Sequence, residues 1–514
     1  MPDKYYLTTP LYYVNAKPHI GHSYTNIAAD ALARFKRLQG KEVLFLTGTD
    51  EHGQKVERAS REAGMSPGGF TDSIVPSFKD LWQRLSISYD DFIRTTEKRH
   101  VETVKAVWLR LHEKGEIYKD RYSGYYCTPC ETFWTERQVL TEKEGILCPD
   151  CRRPLDQIEE ENFFFRISRH QKWLMDTVRS GEMLVLPETR QNEVLGFLEN
   201  NVLQDLCISR PKSRLSWGIE SPVSPEHVTY VWFDALINYI SACGYPDDEN
   251  KFRKWWPVDV HLVGKDILRH HAIYWPILLK VLDLKLPRMI FAHGWWVQGR
   301  EKMSKSRGNV VDPLEIVGRF GVDAYRYFLL REIPFGSDGV FSEEALTQRF
   351  NHDLANDLGN LAHRTLTMCE KYFGGRVPEG VSLDCAGPLR REAEGLFASL
   401  DLYMAKLDFS QALAEIWKLI NRANKFIEES TPWKLAKQAD LLPLKKVLVE
   451  LLEVLRTAAH SLSPFMPATA EALWTQLGME ASPAQTPFAH RGWGSFQKGG
   501  KIQKAAPLFP RIEK

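Results

Sequence analysis

Two lysines and two hydroxyls fall within five residues at Lys302-Met303-Ser304-Lys305-Ser306, and Arg307-Gly308-Asn309 follows. Cations and hydroxyls on a loop bounded by Gly299 and Gly308 suit an oligophosphate, and the glycines supply the freedom such a loop needs to close on a nucleotide. Short Lys/Ser runs are common on solvated surfaces, so the stretch carries weight only with a partner. Pro18-His19-Ile20-Gly21-His22 supplies one. Two histidines there flank a glycine at the expected start of a helix, where unpaired N–H groups and a partial positive charge already favour phosphate. No Walker-type G-x-x-x-x-G-K-[ST] occurs.

The cysteines are the strongest local signal. Cys127 and Cys130, then 17 intervening residues, then Cys148 and Cys151 offer four thiolates at zinc-ribbon spacing. Four protein ligands leave no open position, so the expected zinc is structural. Cys207, Cys243, Cys369 and Cys385 are scattered and are expected to be fillers.

The elements that must position these groups are legible from periodicity. A strand at 5–9, a helix from about Pro18 with Ile20, Tyr24, Ile27, Ala31, Phe35 and Leu38 on one face, a stop at Gly40, and a strand at 42–47 make a strand-helix-strand unit. In parallel nucleotide-binding sheets ligands sit at the carboxyl ends of strands, where His19, His22 and the Gly48-Thr49-Asp50-Glu51-His52-Gly53 turn fall. Residues 54–115 are expected to be mostly amphipathic helix. Residues 118–165, rich in Cys, Tyr and Phe, form an insertion. Further sheet strands are expected at 228–233, 258–264 and 288–292, ahead of the lysine loop. Beyond about 345 long helical patterns at 353–372, 389–403, 409–430 and 444–461 predict a helix bundle.

The chain of 514 residues is long enough for about three domains. With 43% hydrophobic and 26% charged residues it belongs among soluble globular proteins, not disordered or fibrous ones. No apolar run reaches the roughly 18 residues a membrane helix needs, and no signal peptide is present, so a cytoplasmic location is expected. A net charge of +1 on 67 basic and 66 acidic residues means that any nucleic-acid surface must be local.

The histidine and lysine stretches, in this order, resemble the two signatures of class I aminoacyl-tRNA synthetases. Thr8-Thr9-Pro10-Leu11-Tyr12-Tyr13-Val14-Asn15, Thr47 to Gly53, Val231-Trp232-Phe233-Asp234-Ala235, Gly264-Lys265-Asp266-Ile267 and Asn356-Asp357-Leu358-Gly359-Asn360-Leu361 narrow the resemblance to the methionyl-tRNA synthetases of the bacterial single-knuckle form. It spans essentially the whole chain. It implies an α/β fold: a class I Rossmann-like parallel-sheet catalytic domain (1–115 and 226–320), an inserted segment (116–225) with a zinc knuckle at 127–151, a stem-contact link (321–345) and a C-terminal α-helical anticodon-binding bundle (346–514). It implies the reaction too: methionine and ATP, with Mg²⁺, give methionyl-adenylate, and the acyl group passes to the 3′ end of tRNA(Met), initiator and elongator alike.

Attack of a carboxylate on the α-phosphorus builds charge on the phosphate oxygens and the leaving pyrophosphate, which Lys302 and Lys305 would stabilise alongside His19 and His22. The resemblance places Leu11, Tyr13, Trp232, Ala235, Leu236, Tyr239, Ile267 and His271 around methionine and Asp50 at its ammonium. Leu236 departs from the proline common in some relatives. The resemblance adds Gly21, Gly264, Asp266 and His293 to the ATP site, and Asn360, Arg364, Pro432 and Trp433 to the anticodon. Aromatic rings suit a thioether, a carboxylate suits a cation, and Trp, Asn and Arg suit unpaired bases. A monomer is expected. The rivals are another class I synthetase, disfavoured by an insertion of only about a hundred residues, and a silent tRNA-binding paralogue, disfavoured by intact His19, His22, Lys302 and Lys305.

Overall fold

Strand β1 (Lys4–Tyr13) runs through the middle of a six-stranded sheet in the computed structural model. The structure describes residues 3–513 apart from 135, 137, 143–144, 150, 299–300, 303–310, 382–387, 495 and 497–499. Helix α1 (Ile20–Leu38) follows β1. The remaining strands are β2 (Glu42–Asp50), β3 (Asp91–Arg94), β4 (Leu184–Leu186), β5 (Val260–Gly264) and β6 (Met289–His293). All pair in parallel, in the order β3-β2-β1-β5-β6-β4. Successive strands thus go out to either side of β1, and the crevice beyond the carboxyl ends of β1 and β5 is the switch point where such sheets take ligands. The apolar positions expected on α1, Ile20, Tyr24, Ile27, Ala31, Phe35 and Leu38, are all buried, and Gly40 with φ 81 ends the turn after it.

Residues 54–115 are mostly helical as expected (Gln54–Glu62, Pro67–Arg84 and Lys98–Glu113), with β3, which periodicity did not show, between them as the sheet's edge. Four residues are too few for alternation to stand out against helical neighbours. The apolar run 228–233, expected as a strand of the parallel sheet, lies outside it. His227–Thr229 pairs antiparallel with Ser209–Pro211, and Val231–Leu236 is a helix. Buried on nearly every side, that run has no periodicity to separate helix from strand.

The segment after Glu113 builds an antiparallel sheet from Ile117–Cys127, Asp156–Phe165, Thr132–Trp134 and Leu206–Cys207, and Cys127, Cys130, Cys148 and Cys151 sit at its far end. Between residues 343 and 476 the described chain is mainly helical: Glu343–Arg349, a π-helical stretch Phe350–Gly359, then Asn360–Phe373, Pro388–Ala405, Phe409–Ser430, Leu442–Leu462 and Pro467–Gln476. Their apolar faces join one core with α1 and the helix Val322–Arg331. Arg326, on that helix and fully buried, ties the parts together. It donates to the Asp30 carboxylate of α1 at 2.7 Å, to Leu85 O at 3.0 Å, and to Pro464 O and Phe465 O in the bundle at 3.1 and 2.8 Å. Burial alone would raise the Asp30 carboxyl, and Arg326 and Arg34 outweigh it and hold it below the usual range. Among the described residues no helix is long and apolar enough to cross a membrane.

Candidate active site

Strand register lines up the candidates. Tyr13 on β1 stands opposite Asp50 on β2, and Gly264 on β5 stands opposite His293 on β6, so four neighbouring strands deliver them at one edge of the sheet. The N-terminus of α1 faces the same edge because the chain has only six residues between β1 and the helix in which to turn.

That N-terminus is capped by histidines. His19 is the N-cap, with Nδ1 accepting from Gly21 N at 3.1 Å, and His22 Nδ1 accepts from His19 N at 3.0 Å. An accepting Nδ1 puts the proton of a neutral imidazole on Nε2, so each ring carries an N–H donor on its other nitrogen. Gly21 leaves room for the close ring: a Cβ there would lie 3.0 Å from His19 Cε1.

Asp50 is 2% exposed, and its Oδ1 has no protein partner. Burial, then the charges of Asp234 and Glu131, push its carboxyl well above the usual range. The hydroxyl of Tyr13 and the indole N–H of Trp232 are likewise buried without partners. The two rings meet edge to face at 6.1 Å, and Trp232 stacks on His270 at 3.8 Å. Leu236 and Tyr239 are buried in an apolar cluster against which Leu11 and Ile267 pack half-buried, and Ala235 is buried on the same helix as Trp232. His271 takes the Tyr239 hydroxyl on Nε2 at 2.7 Å and gives its Nδ1–H to Ile267 O at 2.9 Å. Burial lowers its pKa to about 4, so it is neutral. The arrangement is an apolar, aromatic cluster around the unpartnered Asp50 Oδ1, which suits a small amphiphilic cation.

On the other side of β1, a Cβ on Gly264 would lie 2.5 Å from Asp266 Oδ1, and the exposed Asp266 also receives the Trp295 indole N–H at 3.2 Å. His293 is neutral through burial. Its Nε2 accepts from Thr25 at 2.7 Å and its Nδ1–H goes to Gly294 O at 2.7 Å. With both nitrogens engaged, the ring offers a ligand only its face or carbon edge.

The four cysteines converge. Their sulfurs lie within 4.8 Å of one another, with Cys127–Cys151 at 3.5 Å and Cys130–Cys148 at 4.0 Å. A tetrahedral zinc with Zn–S of about 2.3 Å needs edges of about 3.8 Å, so the donor set fits.

In the bundle, Asn360 is exposed and Arg364 is one turn along the same helix, paired with Glu428 at 2.7 Å. Thr431, at φ 44, breaks the chain direction after Phe409–Ser430. Pro432 is buried there, and Trp433 is 39% exposed.

Residues 5–366 match the family model described as tRNA synthetases class I (M), and residues 389–498 match that described as the anticodon-binding domain of tRNA ligase. A methionine–tRNA ligase of Caldanaerobacter subterraneus subsp. tengcongensis is 51% identical over 516 residues, covering 100% of this chain and 80% of the relative. One from Clostridium acetobutylicum is 48% identical over 99% of this chain and 78% of its own length. The structure of Mycobacterium tuberculosis methionyl-tRNA synthetase in complex with methionyl-adenylate superposes with a TM-score of 0.95 at 42% identity, covering 99% of this chain and all of that one. The chain belongs to the methionyl-tRNA synthetase family.

Lys305 and most of the lysine loop lie outside the described residues, and of Lys302 only its backbone, in the strand Glu301–Lys302, is described. Other residues were not singled out from sequence. Asp234, fully buried, bridges His52 at 2.7 Å and His100 at 2.6 Å behind Asp50. Burial would raise its carboxyl, and the two histidines hold it down. His261, neutral through burial, links Thr8 to Trp275. The Val231-Trp232-Phe233-Asp234-Ala235 stretch was the available signal for Asp234. Nothing local marks His100.

Proposed function

We propose that this methionine–tRNA ligase runs both steps at the crevice beyond β1 and β5. The Asp50 Oδ1, buried and unpartnered beside Tyr13 and Trp232, carries the reading: a buried acceptor of this kind calls for a donor from the ligand, and an amino acid's ammonium supplies it. With the ammonium at Asp50, the methionine side chain lies among Leu11, Tyr13, Trp232, Ala235, Leu236, Tyr239, Ile267 and His271. The substrate carboxylate then faces the N-terminus of α1.

A carboxylate oxygen attacks the α-phosphorus of ATP. The bond to the pyrophosphate oxygen breaks, leaving methionyl-adenylate. Nε2–H groups of His19 and His22 donate to the phosphate oxygens as charge builds, and the α1 N-terminus adds its field. Gly21 and Gly264 let the nucleotide approach backbone, with Asp266 and His293 beside it. Lys302 and Lys305 neutralise the departing pyrophosphate, and Mg²⁺ accompanies ATP. A hydroxyl of the terminal adenosine of tRNA then attacks the activated carbonyl and AMP leaves. Asn360, Arg364, Pro432 and Trp433 read the anticodon, and one zinc on Cys127, Cys130, Cys148 and Cys151 holds the knuckle. Free cysteines throughout the described residues fit a reducing cytoplasm, where the chain acts as a monomer.

Amino-acid-dependent ATP–pyrophosphate exchange with each of the twenty amino acids tests the reading. Methionine alone is expected to support full exchange, and Lys305→Ala to slow it about 10²–10³-fold with methionine binding kept. Exchange with another amino acid, or an unimpaired Lys305→Ala, overturns it.

A further inference from the structure

Glu131 directly follows the second cysteine of the first metal pair, yet its side chain serves another part of the molecule. It is 1% exposed, and its Oε1 accepts from Lys55 N at 2.7 Å. Lys55 is in the first turn of helix Gln54–Glu62, whose own N-cap residue is Gly53, with no side chain to satisfy that end. A carboxylate from 76 residues away therefore supplies the cap. Gly53 leaves room for it: at φ 102, a Cβ there would lie 2.6 Å from Glu131 Oε2. The same helix start fixes Lys55, whose ammonium lies 4.3 Å over the Tyr13 ring. The main-chain carbonyl of Glu131 accepts the Tyr230 hydroxyl, and Tyr230 immediately precedes the Val231–Leu236 helix.

One knuckle residue thus holds both segments that flank the amino-acid recess, the Asp50–Gly53 turn and the Trp232 helix. Its backbone is unusual as well. Glu131 has φ 50, and Arg152, the residue after the other cysteine pair, has φ 56. Each Cys-x-x-Cys turn imposes a left-handed residue at this place, where glycine is the easy choice. A glutamate there costs backbone energy and delivers a carboxylate.

We propose that Glu131 is a positioning residue for amino-acid recognition, through which the metal knuckle sets the geometry of the methionine recess. The proposal rests on the assignment of that recess to methionine. It is tested on the full-length zinc-loaded chain by measuring methionine Kd calorimetrically, KM for ATP, and bound zinc, for wild type, Glu131→Ala, Glu131→Gln and Asp50→Asn, each with and without chelation of the metal. Glu131→Ala is expected to keep its zinc, weaken methionine binding about tenfold, and leave KM for ATP within about twofold. Glu131→Gln, whose amide oxygen can accept from Lys55 N, is expected to recover most of the affinity. Chelation should weaken methionine binding in wild type by a similar factor and add little in Glu131→Ala, because the metal and the carboxylate act along one route. Wild-type affinity in Glu131→Ala, no recovery in Glu131→Gln, or additive effects of chelation and substitution would overturn the proposal. Should Glu131→Ala not fold, Glu131→Gln and chelated wild type decide. Asp50→Asn separates the two readings: if it too binds methionine normally, the recess assignment has failed, and if it alone loses methionine, only the coupling has failed.

Discussion

Asp50, the proposed partner of the substrate ammonium, is held at a cost to the folded protein. Its folded pKa is raised by burial and by Asp234 and Glu131, so the folded state keeps a proton that the unfolded chain releases. Stability therefore falls as pH rises from the ordinary carboxylate value towards the raised one. Asp50→Asn removes that loss. It is expected to raise the melting temperature of ligand-free protein at about pH 8 more than at about pH 4, while costing methionine binding about 2 kcal/mol or more. Calorimetric scans at the two pH values and a methionine titration check both halves. An equal gain at both pH values, or unchanged affinity, would refute the account. Asp50 was legible as part of the Gly48–Gly53 turn at a strand's carboxyl end, its proposed place at an ammonium only through the family resemblance. Its supports were not: Asp234 meets His52 and His100 from 182 and 134 residues away, and no spacing motif spans such a gap.

The elements were readable where their period was long or their apolar face one-sided. Helix α1, β2 and the bundle helices fall where the periodicity put them, and β1 extends the expected strand at both ends. Short or wholly buried pieces escaped: β3 has four residues, and the Val231–Leu236 helix has one polar side chain, Asp234, which is itself buried. β3 nonetheless matters to the site, because it packs against β2 beneath Asp50. A Cβ on Gly48 would lie 1.9 Å from Ile93 O and 2.9 Å from the Leu11 side chain. Gly48→Ala must push β2 from β3, and is expected to cost about 1–3 kcal/mol or more in urea unfolding, with methionine affinity falling alongside. A variant as stable as wild type would show that the two strands can part freely.

Across the whole molecule, the proposed activation site and the proposed anticodon contacts lie at different ends of the chain. Trp433→Ala is expected to lower charging efficiency by about 5- to 150-fold, the worth of one base stack at about 1–3 kcal/mol. Pyrophosphate exchange, which needs no tRNA, and the melting temperature should hardly move, since the indole is 39% exposed and fills no core. Parallel losses in charging, exchange and melting would mean that Trp433 is structural. The helix break at Pro432 and the helical spacing of Asn360 and Arg364 were legible in the sequence, while their proposed place at the anticodon rests on the family resemblance. The joint between the two ends was invisible from sequence, because Arg326 finds its acceptors on three distant segments. A lysine could not replace it, since a single ammonium cannot present a planar fork to acceptors spread around it. The catalytic sheet and the helical bundle are consequently not separable modules. A protease cut or a gene truncation near residue 345 would strip Pro464 O and Phe465 O from Arg326 and uncover the apolar flank of α1, so the fragment left behind should clump rather than survive as a small activating enzyme.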